Sequence, residues 1–188
     1  MARVPYLDKS DLAPENHDLL KRTITLHRAL AHSPNGLRAF GGLGQFIRHT
    51  SRLDPRLREL AILQVGYLAR APYEWSHHIR IGREFGVTND DIRALIDDTE
   101  GRPSTLEPLA RTVLTAAREM TDAMAISDAT FAALQESLDQ ECLVDLVITI
   151  SHYNAVVRLL ASLQIDVEED YQPYLDEFPL PPAAKGKA

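Results

Sequence analysis

Apolar residues recur every three to four positions along most of this chain, the period of helices buried on one face. Leu19, Leu20, Thr23, Ile24, His27 and Leu30 keep that spacing after Pro14-Glu15, which predicts a first helix from there to about Ala31. Ser33-Pro34 supplies an N-cap followed by proline at the first helical position, so a second helix carries Leu37, Phe40, Leu43 and Ile47. Asp54-Pro55 repeats the signal for a third helix, which must stop at or before Ala71 because Pro72 disfavours helical geometry in the residue before it. A fourth runs from about Tyr73 to Gly86, a left-handed C-terminal cap, and Thr88 caps a short fifth with Ile92, Leu95 and Ile96. Helices from about Leu106 to Met124, after Ser127, and from about Gln140 to Leu163 complete the pattern.

No run alternates as a strand would, so the chain is expected to be all-α, a single domain over residues 1–188 with about 7–8 helices. Residues 166–188, with Pro173, Pro179, Pro181 and Pro182, are expected to form an extended tail ending in a polar, frayed Ala183–Ala188. Gly41, Gly42 and Gly44 each cost a helix about 1 kcal/mol. A close helix crossing is the favoured reason for them, ahead of a kink or a ligand approach.

Composition narrows the function. The 188 residues are 45% hydrophobic and 25% charged, the balance of an ordinary globular domain. A net charge of −7, with the 20 basic residues scattered, argues against nucleic acid as partner. One cysteine, Cys142, allows neither an intrachain disulfide nor a Cys-x-x-Cys pair. The stretch from Cys142 to Leu163 is apolar but carries Asp145, His152, Asn154 and Arg158, which suits a buried central helix better than a membrane span. The N-terminus lacks the apolar segment of a secretory signal, so a cytoplasmic protein without membrane attachment is expected.

Candidate chemistry gathers around the break between the third and fourth helices. Glu74 and His78 stand four apart, on one helical face, at about 5–6 Å between Cβ atoms. A carboxylate there can orient an imidazole or exchange a proton with it. Glu59 lies among apolar residues in Arg58-Glu59-Leu60-Ala61, next to two arginines. A surface ion pair worth at most about 1 kcal/mol and an acid/base role both remain open for it. Tyr73, Trp75 and His49 can wall a pocket, although packing explains each as well. His152, with Asp145 and Thr149 on nearby turns, reads first as a satisfied core histidine and second as a pocket residue. A metal site would have to combine Glu74 and His78 with Glu59, His49 or His152. No His-Glu-x-x-His or second ligand cluster supports it, so neither metal nor cofactor is expected.

At these residues the sequence resembles the carboxymuconolactone decarboxylase family, which includes the alkylhydroperoxidase D proteins. The resemblance rests on Arg58-Glu59-Leu60-Ala61-Ile62-Leu63, Tyr73-Glu74-Trp75 with His78, and Phe85-Gly86-Val87-Thr88. It is extended by Ala2-Arg3-Val4-Pro5-Tyr6-Leu7 and by Asp145-Leu146-Val147 to Tyr153-Asn154, and so runs from roughly Arg3 to Val167. It implies an alkylhydroperoxidase D-like helical bundle assembled as a homo-oligomer, a trimer or hexamer. In the peroxidase branch a glutamate precedes a histidine by nineteen residues, with two redox cysteines between them. Glu59 and His78 keep that spacing, but the cysteine positions correspond to Ala71 and Glu74. Without thiols there is nothing to reduce a peroxide.

The resemblance then implies the decarboxylase-like branch: cofactor-free loss of CO2 from a small unsaturated lactone acid, or a related proton transfer on an aromatic-degradation acid. On that basis Glu59, Glu74 and His78 are the expected catalytic residues, with the roles of the two glutamates open. Arg48, Arg80 and Arg83 are candidates for holding an anionic substrate only by nearness in sequence. The alternatives are a non-catalytic binding or accessory protein of the same fold and a metal-dependent hydrolase or hydratase.

Overall fold

A computed structural model describes residues 2–182. Among these the α-helices are α1 (Thr25–Leu30), α2 (Pro34–His49), α3 (Pro55–Leu68), α4 (Pro72–Glu84), α5 (Asn89–Thr99), α6 (Pro108–Asp122), α7 (Asp128–Gln135), α8 (Gln140–Leu163) and α9 (Gln172–Glu177), with three short 3-10 segments and no strand. The all-α expectation holds, with more and shorter elements than the apolar pattern predicts.

The bundle is built around α3, against which α4, α6 and α8 all pack. Every residue of α3 from Leu57 to Tyr67 is buried. Leu60, Ala61, Leu63 and Val65 face neighbours on all sides, so the helix has no solvent face. Asp54 starts it by accepting the Leu57 N–H at 2.9 Å, with Pro55 in the first turn. Thr88 and Asp91 form a capping box for α5, and Ser127 and Asp139 cap α7 and α8. Gly86, at φ +94°, turns the chain out of α4 where a side chain would strain the backbone.

Helix α8 matches its predicted bounds. By length and hydropathy it is the one helix among the described residues able to cross a membrane. It packs instead against α2, α3, α6 and α7, with Asp145, Thr149, His152 and Asn154 turned into the protein. Asp145 accepts from the Ser51 hydroxyl at 2.6 Å and the Arg52 N–H at 3.2 Å, tying the α2–α3 loop to α8.

Three expectations need correction. The first predicted helix is broken into a 3-10 segment, Pro14–Leu20, and α1. The break follows from a remote carboxylate: Glu168 accepts from the Thr25 N–H at 2.7 Å and its hydroxyl at 3.0 Å, so a helix starts there. The tail is not extended throughout. Residues Glu169–Tyr171 form a 3-10 turn leading into α9, where Pro173 occupies the first helical turn and no longer acts as a breaker. The expected frayed end, 183–188, lies outside the described residues. Finally, the α2 glycines make no close crossing. A Cβ at Gly41 or Gly42 would meet nothing within 4 Å, and one at Gly44 only the His152 ring at 4.0 Å.

The C-terminal segment closes over α4. Trp75, fully buried against Tyr67, donates from Nε1 to the Phe178 carbonyl at 2.8 Å. Arg83 bonds Glu177 at 2.6 Å and faces the rings of Tyr174 and Phe178. Trp75→Phe keeps the packing but strands that carbonyl, and is expected to cost about 1–3 kcal/mol in chemical denaturation. The same variant should expose the chain near Phe178 to faster chymotryptic cleavage.

Candidate active site

The α3–α4 hairpin creates the site. Helix α3 ends with Arg70 in the left-handed region, φ 48°, and the Ala71 N–H returns to the Gly66 carbonyl at 3.0 Å. A Cβ on Gly66 would sit 3.4 Å from the Trp75 nitrogen, so the glycine lets α4 lie close along α3. That approach brings two residues nineteen apart into contact: His78 Nδ1 donates to Glu59 Oε2 at 2.6 Å.

Glu59 is 1% exposed, and its other oxygen accepts from Arg58 Nε at 3.1 Å, with a second guanidinium nitrogen at 3.0 Å. Arg58 is itself buried under the Phe85 ring, 4.4 Å from its centroid, and donates to the Arg48 carbonyl at 3.2 Å. On the opposite edge of the imidazole, Glu74 Oε1 lies 2.9 Å from His78 Nε2. The approach is an ion pair without hydrogen-bond alignment, since that oxygen is buried and accepts no aligned bond. Nothing among the described residues donates to the other Glu74 oxygen.

Two carboxylates and two cations thus share a nearly dry space. Burial alone would push His78 down, but Glu74 and Glu59 overcome it and hold its pKa up at about 9. Burial opposes ionisation of Glu59, yet the His78 and Arg58 charges keep its carboxyl below the usual 4.5. At neutral pH His78 is therefore an imidazolium clasped between anions, donating from Nδ1 to Glu59 and paired through Nε2 with Glu74 by charge alone.

Beside this cluster opens a cavity of about 450 Å³ between α1, α2, α4 and α8. Glu74, His78 and Tyr73 line it. Glu59 does not reach it and stands behind His78. Trp75 and His49 also lie outside its lining: Trp75 holds the C-terminal segment, and His49 is exposed at the end of α2. His152 forms wall rather than sealed core, its ring tilted at 46° against Phe40 with centroids 4.8 Å apart, while Asp145, on a nearby turn, is engaged elsewhere. Gly41 and Gly44 line the same space, so the glycines of α2 make room for contents. Arg48 lines the cavity, whereas Arg80 and Arg83 do not.

The sequence pattern gave no reason to single out His27, Arg22 and Tyr153, which are also in the lining. His27 sat among apolar residues at helical spacing and read as one of them. Its Nδ1 is buried without a partner, and burial together with Arg22 and Arg48 lowers its pKa to about 4, so it is neutral. His77, next to the central histidine, has a different job. It is stacked between Tyr73 and Tyr171 at 4.1 and 3.6 Å and bonds Glu168 at 2.8 Å. No group of three or more His, Cys, Asp or Glu among the described residues is arranged to hold a metal ion.

Comparison with known proteins bears on the fold and on the segment that carries this cluster. Residues 34–119, which contain Glu59, Glu74 and His78, match the model of the carboxymuconolactone decarboxylase family. No curated protein matches the chain. Among solved structures, an uncharacterized peroxidase-related protein from Ralstonia eutropha JMP134, described as an alkylhydroperoxidase AhpD core, superposes with a TM-score of 0.79. It is 17% identical, and the match covers 93% of this chain and 95% of that one. The debrominase Bmp8, crystallised as a variant with 2,3,4-tribromopyrrole, gives 0.78 at 19% identity over 94% of this chain and 99% of its own. A peroxidase-related protein from Silicibacter sp. TM1040 gives 0.72 at 18% identity, covering 90% and 95%. Likeness at such identity speaks for the fold, which is that of AhpD-like proteins, and the family likeness rests on residues 34–119, which match the carboxymuconolactone decarboxylase model.

Proposed function

We propose that the cavity is the active site of a cofactor-free lyase that decarboxylates a small unsaturated lactone acid and returns a proton to carbon. The observation that carries this reading is the buried imidazolium of His78, held between Glu59 behind it and Glu74 on the cavity side. In such a reaction the bond to the carboxylate breaks and CO2 leaves. The electron pair moves into the conjugated lactone carbonyl to give a dienolate, and a proton must then reach carbon. Glu74 is the member of the cluster placed to meet the substrate. His78 supplies it with a proton from Nε2, and Glu59 holds the ring by Nδ1 and keeps it charged. Solvent restores the proton once product has left.

The arrangement supports Glu74 as the group in contact with substrate and Glu59 as a positioning residue. Thiol chemistry lacks support, because Ala71 and Glu74 occupy the redox-cysteine positions and Cys142 lies in the first turn of α8, outside the cavity lining. A homo-oligomer fits the same reading. Val144 on α8 is 53% exposed, and half of the apolar window of that helix is uncovered within one chain.

Glu74→Gln should lower kcat for carboxymuconolactone decarboxylation by at least about 10²-fold, followed as CO2 release, with stability changed by less than about 1 kcal/mol. Full activity in that variant would sink the assignment. Glu59→Gln removes a carboxylate from between two buried cations and should cost about 3–5 kcal/mol of stability as well as turnover.

The pH dependence has a definite sign. His78 is raised in the folded protein, so its stabilising contribution is complete below its ordinary value of 6.5 and is lost as pH rises through about 9. Glu59 is lowered, so its contribution is present above 4.5 and is lost as pH falls through the depressed value. Nitrogen NMR of labelled histidine should show one ring titrating near pH 9, and Glu59→Gln should move that titration to lower pH. A His78 signal titrating near 6.5 in the wild type would contradict the cluster's electrostatics.

A further inference from the structure

Loss of CO2 leaves negative charge on an oxygen, and Glu74 and His78 handle the proton without meeting that charge. We infer that the Tyr153 hydroxyl, backed by the Arg48 guanidinium, is the donor that binds the enolate oxygen; the assignment rests on the proton-transfer reading above. Tyr153 comes from α8, outside the segment that carries the family match. It is 6% exposed, lines the cavity and packs edge-on to the His78 ring, with centroids 4.9 Å apart and planes at 81°. The His152 ring meets its other side at 5.3 Å and 83°, so the phenol is held in place by two flanking rings.

The chemistry of its neighbour fixes the direction of its proton. Arg48 lines the same cavity, and its charge acts on the Tyr153 phenol. A guanidinium can only donate, so with Arg48 as its neighbour the Tyr153 O–H is left to seek an acceptor on the cavity side. Burial, Glu74 and Glu59 all raise the Tyr153 pKa, with Arg48 opposing, so the group remains a neutral donor over the working range. No described carboxylate lies within ion-pair distance of Arg48, so its charge is available to an anion near Tyr153. The cavity then has two poles around the His78 ring: Glu74 handles the proton at carbon, and Tyr153 with Arg48 receives charge on oxygen. A donor in a dry cavity gains most when it faces charge that develops only during reaction.

Two measurements test this, with p-nitrophenol as a chromophoric oxyanion probe. The wild type should bind it and lower its pKa, read from the absorbance of the phenolate across a pH series. Tyr153→Phe should abolish most of that shift and Arg48→Gln should reduce it, while Glu74→Gln retains it. In the lactone assay, Tyr153→Phe should lower kcat by about 10²-fold with KM changed by less than about threefold, because the donor acts on charge absent from the ground state. If the wild type leaves the lactone untouched but the probe shift depends on Tyr153, the lyase reading fails and the oxyanion donor stands. The inference is overturned if the probe does not bind, if its pKa shift survives Tyr153→Phe, or if that variant keeps full kcat.

Discussion

The ion pair between Glu59 and His78 is the constraint on which the rest of the molecule turns. A carboxylate at 1% exposure is tolerable only with partners on every side. Arg58 and His78 supply them, and each partner binds a further element. Arg58 reaches back to the carbonyl at the end of α2 and lies against Phe85 at the end of α4. His78 stands between Glu74 and the Tyr153 ring on α8. Removing any one charge leaves the others uncompensated in a medium that screens them poorly. The cluster therefore locks the α3–α4 hairpin and, at the same time, stores a proton at a wall of the cavity.

That double role accounts for the composition of α3 and α4. Nothing in a stable helical hairpin requires Arg, Glu and His in its interior, and apolar residues of similar volume would fold as well or better. Under the proposed reading, stability and chemistry draw on the same charges in this hairpin. The substitution of Glu74 for a thiol fits this economy. In the tight space beside His78, a second carboxylate raises the imidazole's proton affinity, which suits it to hold a proton at neutral pH until a reaction calls for it.

Much of this was legible from residues alone. Caps at Asp54, Thr88 and Ser127 and the full extent of α8 follow from local rules, because each depends on contacts within a few positions. The Glu59–His78 contact was legible as a spacing but not as a geometry. Its 2.6 Å bond depends on Gly66 and on the left-handed turn at Arg70, neither of which declares itself in a hydrophobic pattern. What escaped was long-range. The break before α1 is dictated by Glu168, more than a hundred residues away, and Pro173 opens a helix because α9 has α4 to pack against. Gly41, Gly42 and Gly44 of α2 looked like a packing device, since sequence shows that side chains are missing but not whether a neighbour or a void takes their place. Trp75 misled for a related reason: one position along the helix from Glu74, it turns away from the cavity to the C-terminal segment, where its Nε1 meets the Phe178 carbonyl.

Glu168 ties the two ends of the chain together at the cavity. It caps α1, whose Leu26 and His27 form one wall, and it grips His77 on the wall opposite. The Arg3 N–H meets the Leu163 carbonyl nearby, so the same region joins the first residues to the last helix turns. The central hairpin rests on local contacts, whereas the wall at α1 takes its cap from a carboxylate remote in sequence. Opening the segment around Glu168 therefore loosens two walls of the cavity at once. Anything seated in the cavity in turn favours the closed position of that segment by mass action, so occupancy of the pocket and closure of the chain's remote contacts are coupled.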